Sequence, residues 1–116
     1  IKKRIEGVKF NGHPSKRLPG LVNVSVEYVE GESMVLALDG KGIACSTGSA
    51  CTASDLKASH VLLAMGLSHE LAHGSLRFSM GRGTKKEEVD YVLGALPQVV
   101  EKLRSMSPLG VKERVY

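Results

Sequence analysis

The stretch LVNVSVEYV (residues 21–29) carries the strongest β-strand pattern in the chain. Every second position from residue 22 is apolar: Val22, Val24, Val26 and Tyr28. Successive side chains of a strand point to opposite faces, so this period predicts a strand with one buried face. A layer of apolar residues must pack against that valine face.

A second alternating stretch, SLRFSM (residues 75–80), predicts another strand. Its side chains divide between two faces, with Leu76, Phe78 and Met80 on one and Ser75, Arg77 and Ser79 on the other. A brief strand is also expected at Ile43–Cys45. Residues 1–6 are interpreted as the last turn of a preceding helix, and residues 11–20 as a turn-rich connection.

Helical patterns fill much of the remaining chain. SMVLALD (residues 33–39) predicts a short helix before Gly40, and residues 60–65 predict one or two turns that end at Gly66.

The clearest helix is predicted from Thr84, because Glu87 follows three positions later as in a capping box. One apolar stripe then recurs at three- and four-residue steps: Val89, Val92, Leu93, Leu96, Val99, Val100, Leu103 and Met106. These elements predict a small α+β domain with a short antiparallel or mixed sheet and helices packed on one face.

Composition and charge limit the class of protein. With 116 residues and 42% hydrophobic content, the chain supports one compact domain. The net charge of +4 is local, since residues 1–20 hold six basic residues against one glutamate. A nucleic-acid surface would need a basic face carried through the fold, preferably with stacking aromatics, and neither is present. We therefore expect no nucleic-acid partner.

Two cysteines do not form a disulfide framework, and the chain shows no signal sequence and no transmembrane run of about 18 apolar residues. These features predict a cytoplasmic protein without a membrane span. The chain opens with Ile1 instead of Met, which suggests that its true beginning lies upstream.

The stretch STGSACTAS (residues 46–54) surrounds Cys51 with small residues. Such residues make poor helix and strand, so we expect an exposed and mobile loop. Free cysteines are usually buried as small hydrophobes, and a thiol displayed on a loop is therefore a candidate nucleophile. Cys45 ends an apolar stretch and is expected to be a packing residue.

Two other chemistries stay open for the thiols. His69 and His73 stand four positions apart in HELAH and could bind zinc with Cys45 and Cys51, although polar residues on a short helix are the simpler interpretation. A histidine base could also approach Cys51 in space, from any of four positions: His13, His60, His69 and His73.

Arg77 is a candidate anion-binding residue. A lone arginine on a strand is usually a solvated surface charge. If its face meets another domain, the planar guanidinium can instead bind a carboxylate through two parallel hydrogen bonds. Arg82 is the competing candidate.

Four stretches together resemble the C-terminal part of a cysteine desulfurase of the NifS/IscS type. In the family's order and spacing they are VNVSVEYVEGES, STGSACTAS, SHVLLAMGLSHELAHGSLRFSMGR and SMSPL. The resemblance covers about Leu18 to Leu109.

The resemblance implies a fold, a reaction and two site residues. These enzymes are homodimers of the aspartate aminotransferase fold type (fold type I), and they use pyridoxal phosphate (PLP) to convert L-cysteine to L-alanine. The sulfur moves to an enzyme cysteine as a persulfide and then to an iron–sulfur scaffold protein or another acceptor. By this resemblance Cys51 is the persulfide-forming nucleophile and Arg77 holds the substrate carboxylate. Cys45 has no catalytic counterpart.

The family's Schiff-base lysine and most of its other cofactor contacts belong to a larger preceding domain, whose motifs are missing here. We therefore expect residues 1–116 to be the small C-terminal domain of such an enzyme, cut at or before Ile1. The segment alone is expected to be inactive, with PLP bound mainly by the missing large domain. The alternative is a non-catalytic sulfur-carrier or scaffold-docking module.

Overall fold

The computed structural model describes residues 1–47 and 59–106, which fold as a sheet of three strands with four helices. In chain order the elements are β1 (Val8–Phe10), β2 (Leu21–Val26), α1 (Gly31–Asp39), α2 (His60–Ala64), α3 (His69–His73), β3 (Ser75–Ser79) and α4 (Lys86–Met106). The predicted α+β class is confirmed.

β2 is the central strand of an antiparallel sheet with the order β1-β2-β3. Its register on β3 places Val24 opposite Leu76 and Asn23 opposite Arg77. Directly opposed residues point to the same face of a sheet. The apolar residues of both strands therefore line one face, and their polar residues line the other, as the alternation predicted.

Helices α1 and α4 cover the apolar face and pack on each other. The buried residues of this layer are Ile5, Val24, Val26, Val29, Met34, Leu38, Ile43, Leu76, Ala95, Leu96, Val99 and Val100. Burial of apolar surface contributes about 25 cal/mol per Å², so this layer is the main source of the fold's stability. A smaller cluster of Leu62, Leu67 and Ala72 joins α2 to α3.

The boundaries around the first turn differ from the prediction. β2 ends at Val26 instead of Val29, because Tyr28 has a φ of 64°, a left-handed conformation that no strand accommodates. Helix α1 then begins at Gly31, two residues before the predicted start. β1 was not predicted, since three residues are too few to show a period.

The predicted capping box of α4 is wrong. The Thr84 hydroxyl accepts a hydrogen bond from the backbone N–H of Gly81 at 3.0 Å, so it closes the preceding turn. The helix begins at Lys86 and carries Pro97 in its interior. The predicted helical turn at residues 1–6 is a single turn in which Ile5 N donates to Ile1 O at 3.1 Å.

No helix among residues 1–47 and 59–106 is both long enough and apolar enough to span a membrane.

Candidate functional site

The outer edge of β3 is occupied by residues 46 and 47. Arg77 N donates to Ser46 O at 2.6 Å, and Ser46 N donates to Arg77 O at 3.1 Å. The buried Ser75 hydroxyl donates to the carbonyl oxygen of Thr47 at 3.0 Å. The predicted strand at Ile43–Cys45 is thus replaced by a single bridge between Ser46 and Arg77. The segment that leads to residue 51 therefore starts directly beside the strand that carries Arg77.

Two glycines let the backbone pack closely behind this edge. A Cβ atom on Gly31 would lie 2.4 Å from Ser75 O and 3.3 Å from Thr47 Cγ2. A Cβ atom on Gly74 would lie 2.3 Å from Val26 O. Only a residue without a side chain permits these approaches, so the start of α1 and the start of β3 meet backbone to backbone.

Arg77 lies on the polar face and is half-buried. Its guanidinium makes no hydrogen bond or ion pair with residues 1–47 or 59–106. Arginine carries five N–H donors in a planar fork and has no acceptor. A half-buried fork without a protein partner is suited to bind a planar anion such as a carboxylate. The competing candidate, Arg82, is exposed in the turn after β3.

A cluster of polar side chains extends this face across β2. Asn11 Nδ2 donates to Asn23 Oδ1 at 2.7 Å and to Ser25 Oγ at 3.0 Å. Ser25 is fully buried and Asn11 is 7% exposed. The Oδ1 atom of Asn11 is buried and has no hydrogen-bond partner in the described part of the chain. A buried acceptor without a donor costs about 1–3 kcal/mol, so stability alone does not account for the cluster.

The sequence pattern does not mark these polar residues as part of a site. Asn23 and Ser25 stood at the polar positions of the alternation, which is the usual pattern of a solvated face. The only indication in the sequence was their residue type. The contacts that join them depend on the register of β2 against β3 and on the position of Asn11.

Cys45 is a packing residue, as predicted. It lies half-buried against the hydrophobic core. Burial raises the pKa of the Cys45 thiol, because the thiolate is less well solvated there than in water. A thiol held in its neutral form is a poor nucleophile. Cys51 lies outside the described residues, so its exposure and reactivity stay predictions.

The histidines show no metal centre in the described part of the chain. HELAH has the HExxH spacing of zinc proteases, and His69 and His73 are the first and last residues of α3, where both are exposed. Within residues 1–47 and 59–106, no three potential metal ligands lie together. His13 has a structural role, because its Nδ1 accepts from the backbone N–H of Lys16 at 2.8 Å.

An apolar groove of about 790 Å³ lies on the other face of the sheet. Val22 and Phe78 line it together with the first turns of α4. Arg77 does not line the groove, so the groove is separate from the polar face that carries Arg77.

The described residues do not fit the covalent attachment of PLP. Every lysine within them is exposed, whereas a Schiff-base lysine is activated by desolvation or by a neighbouring charge. The donors of the polar face among residues 1–47 and 59–106 suit a small anion such as a carboxylate.

Comparisons with known proteins place the chain in one family of enzymes. The family model described as aminotransferase class-V matches residues 2–92. The chain is 56% identical over 110 residues to a protein of Methanosarcina thermophila named cysteine desulfurase IscS, covering 95% of this chain and 27% of that protein. It is 58% identical over 106 residues to cysteine desulfurase IscS 1 of Archaeoglobus fulgidus, covering 91% of this chain and 28% of the relative. The chain thus spans about a quarter of these relatives.

Solved structures show the same fold. A NifS-like protein superposes with a TM-score of 0.69 and 29% identity, over 84% of this chain and 23% of that one. A NifS-like protein from Rickettsia africae gives a TM-score of 0.71 at 20% identity, over 85% of this chain and 25% of that one. The observed sheet and helices therefore correspond to one part of a larger fold.

Proposed function

Because the chain belongs to the class-V aminotransferase family, we propose that the intact protein is a PLP-dependent cysteine desulfurase whose small C-terminal domain is residues 1–116. Relatives of that name cover nearly the whole chain. The observation that carries the proposal is the position of Arg77. Its guanidinium, which has no partner among residues 1–47 and 59–106, lies on the strand whose edge holds the segment that leads to Cys51.

Arg77 binds the carboxylate of L-cysteine in this proposal. The half-buried guanidinium forms two parallel N–H···O bonds, which fix both the position and the plane of the carboxylate. This orientation fixes the position of the substrate's sulfur. Holding two reactants in the right geometry supplies a large part of the rate acceleration of a bimolecular step.

Cys51 accepts the sulfur. Its thiolate forms an S–S bond with the sulfur of L-cysteine while the substrate's Cβ–S bond breaks. The electron pair of that bond stays with carbon, which takes up a proton and becomes the methyl group of L-alanine. PLP, when bound, would withdraw electrons from the amino acid, so that a thiolate could attack the sulfur of L-cysteine.

The length of the connecting chain is compatible with this role. Cys51 lies five positions after Ser46, and five extended residues span at most about 18 Å. A segment anchored at Ser46 can therefore bring a thiol to a substrate bound at Arg77, which pairs with Ser46. It can also carry the persulfide away from that substrate to an acceptor.

The remaining parts of the proposal depend on the rest of the intact protein. The lysines among residues 1–47 and 59–106 are all exposed, and the proposal assigns the binding of the cofactor mainly to a large domain of the intact protein. A homodimer, a cytoplasmic location and an iron–sulfur scaffold protein as sulfur acceptor complete the proposal. Residues 1–116 alone should not turn over L-cysteine.

The proposal is tested by incubating the purified intact protein with L-cysteine and quantifying the products. We expect one L-alanine for each sulfur recovered as persulfide or sulfide. Pyruvate and ammonia would instead indicate elimination and would contradict the proposal. A protein that forms no alanine, but accepts a persulfide sulfur on Cys51 from another sulfurtransferase, would be the sulfur-carrier module.

A further inference from the structure

Asn23 and Arg77 occupy opposite positions on β2 and β3. Arg77 directs its backbone N–H and C=O to Ser46 on its other side, so Asn23 and Arg77 form a pair without hydrogen bonds between their own backbones. In an antiparallel sheet such pairs stand closest, with Cα atoms about 4.5 Å apart. Their side chains are thus adjacent on the polar face.

The amide group of Asn23 is oriented by Asn11. Asn23 Oδ1 accepts from Asn11 Nδ2 at 2.7 Å, and Asn11 directly follows β1, which lies on the far side of β2 from β3. The oxygen and nitrogen of an amide diverge from one carbon, so Nδ2 of Asn23 points away from Asn11. Within residues 1–47 and 59–106, no group accepts a hydrogen bond from it.

Two sets of donors therefore share this part of the face. The guanidinium of Arg77 and the Nδ2 group of Asn23 are both donors and contain no acceptor atom, so they cannot hydrogen-bond to each other. A carboxylate satisfies both, because its two oxygens offer about four acceptor positions and only two of these are used by a bidentate arginine.

We propose that Asn23 is a second binding residue for the substrate carboxylate, which its Nδ2 group and the Arg77 guanidinium hold together. This inference rests on the proposed function, which supplies the amino-acid substrate. Asn11 is then a positioning residue that turns the Asn23 amide so that its N–H groups are available. That orientation also explains why the Asn11 side chain keeps a buried acceptor that has no partner among the described residues.

The most informative variant of the intact enzyme is Asn23→Asp. It keeps the size of the side chain and an oxygen that accepts from Asn11, but it replaces the N–H donor with an anionic oxygen beside Arg77. We expect the KM for L-cysteine to rise by about 100-fold or more, since a hydrogen bond to a charged group is replaced by repulsion. The kcat should change less than about threefold, because the reacting sulfur is untouched.

Asn23→Ala tests the lost donor without an added charge. We expect the KM for L-cysteine to rise about 10- to 100-fold. The affinity for L-cysteine methyl ester, measured as competitive inhibition, should stay within about twofold, since the ester lacks the carboxylate charge. The matched control is Ser79→Ala, an exposed position on the same face of β3, which should leave both values unchanged.

A structural role for Asn23 would weaken binding of L-cysteine and of its ester equally, and that result would overturn the inference. An unchanged KM in both variants would overturn it as well. Failure of the unmodified enzyme to produce L-alanine is a separate result, which refutes the proposed function before any variant is compared.

Discussion

Ser46 and Arg77 exchange both backbone hydrogen bonds across the outer edge of β3. The residue that starts the segment toward Cys51 is therefore fixed directly beside the candidate carboxylate-binding residue. In the proposed reaction, this pair keeps the segment that carries the thiol next to the residue that binds the substrate carboxylate.

Cys51→Ser should abolish sulfur transfer in the intact enzyme while the bound cofactor stays, because the hydroxyl cannot carry the persulfide. Mass spectrometry after incubation with L-cysteine measures the persulfide, and visible absorbance measures the cofactor. The matched control is Cys45→Ala, which removes the half-buried packing thiol and should leave the persulfide on residue 51. A persulfide that persists in Cys51→Ser would contradict the assignment.

Arg77→Ala should lower kcat/KM for L-cysteine about 30- to 1,000-fold, because a partly desolvated carboxylate loses its cation. This factor corresponds to a loss of about 2–4 kcal/mol in transition-state stabilisation. Arg77→Lys should recover little of this loss, since an ammonium cannot form the planar double hydrogen bond. Steady-state kinetics measures both. Arg82→Ala, at an exposed position, serves as the control and should change kcat/KM less than about twofold. An equal loss in both alanine variants would transfer the role away from Arg77.

Ser75→Ala removes the hydrogen bond from Ser75 Oγ to Thr47 O, which is 3.0 Å long. We expect a loss of about 0.5–1.5 kcal/mol in the free energy of unfolding. We also expect kcat to fall severalfold at an unchanged KM, because the thiol segment loses an anchor while Arg77 stays in place. Ser79→Ala on the exposed end of the same strand should alter neither quantity. A lower thermal midpoint with an unchanged kcat would limit Ser75 to a stabilising role.

Gly74→Ala should destabilise the fold by about 1–3 kcal/mol or more. The added methyl group would lie 2.3 Å from Val26 O and 2.7 Å from Val29 O, so the backbone of two segments would have to move. Gly94→Ala is the contrasting variant, because no atom lies within 4 Å of the added methyl group on α4. It should stabilise the helix by about 0.5–1 kcal/mol. Thermal unfolding of both variants gives the sign of each effect, and equal shifts would refute the packing argument.

Cys45 should make the protein less stable at alkaline pH. Burial raises the pKa of this thiol in the folded state, so the folded protein holds the proton above the unfolded pKa of about 8.5. The stability from this group is complete below that pH and is lost as the pH rises through the folded pKa. Chemical unfolding across this range should show a shallower decline for Cys45→Ala. Parallel curves for the two proteins would contradict the prediction.

The sequence predicted correctly which side chains share a face of the sheet. Apolar and polar residues alternate along a strand because one face is buried and the other is not. The valine positions of β2 and the leucine of β3 had to share one face, and the register confirmed it. The same pattern could not show that Ser25 is fully buried, since a serine that accepts from Asn11 looks no different in sequence from a solvated one.

Errors in the prediction have local physical causes. The Thr84 hydroxyl accepts from the backbone N–H of Gly81, so it closes the preceding turn instead of capping the helix. Tyr28 continued an alternating pattern, but its left-handed backbone ends the strand two residues earlier. For the site, sequence identified Arg77 by residue type and resemblance, whereas its pairing with Ser46 and Asn23 needed the strand register. The assignment of Cys51 stays a prediction.

The anchors of the thiol segment include two main-chain hydrogen bonds between Ser46 and Arg77 and one hydrogen bond from the Ser75 hydroxyl to Thr47 O. Main-chain groups are the same in all residues except proline. Any residue other than proline at position 46 can therefore form both main-chain hydrogen bonds to Arg77. A designed peptide with another nucleophile could be joined after this position without removing those two bonds.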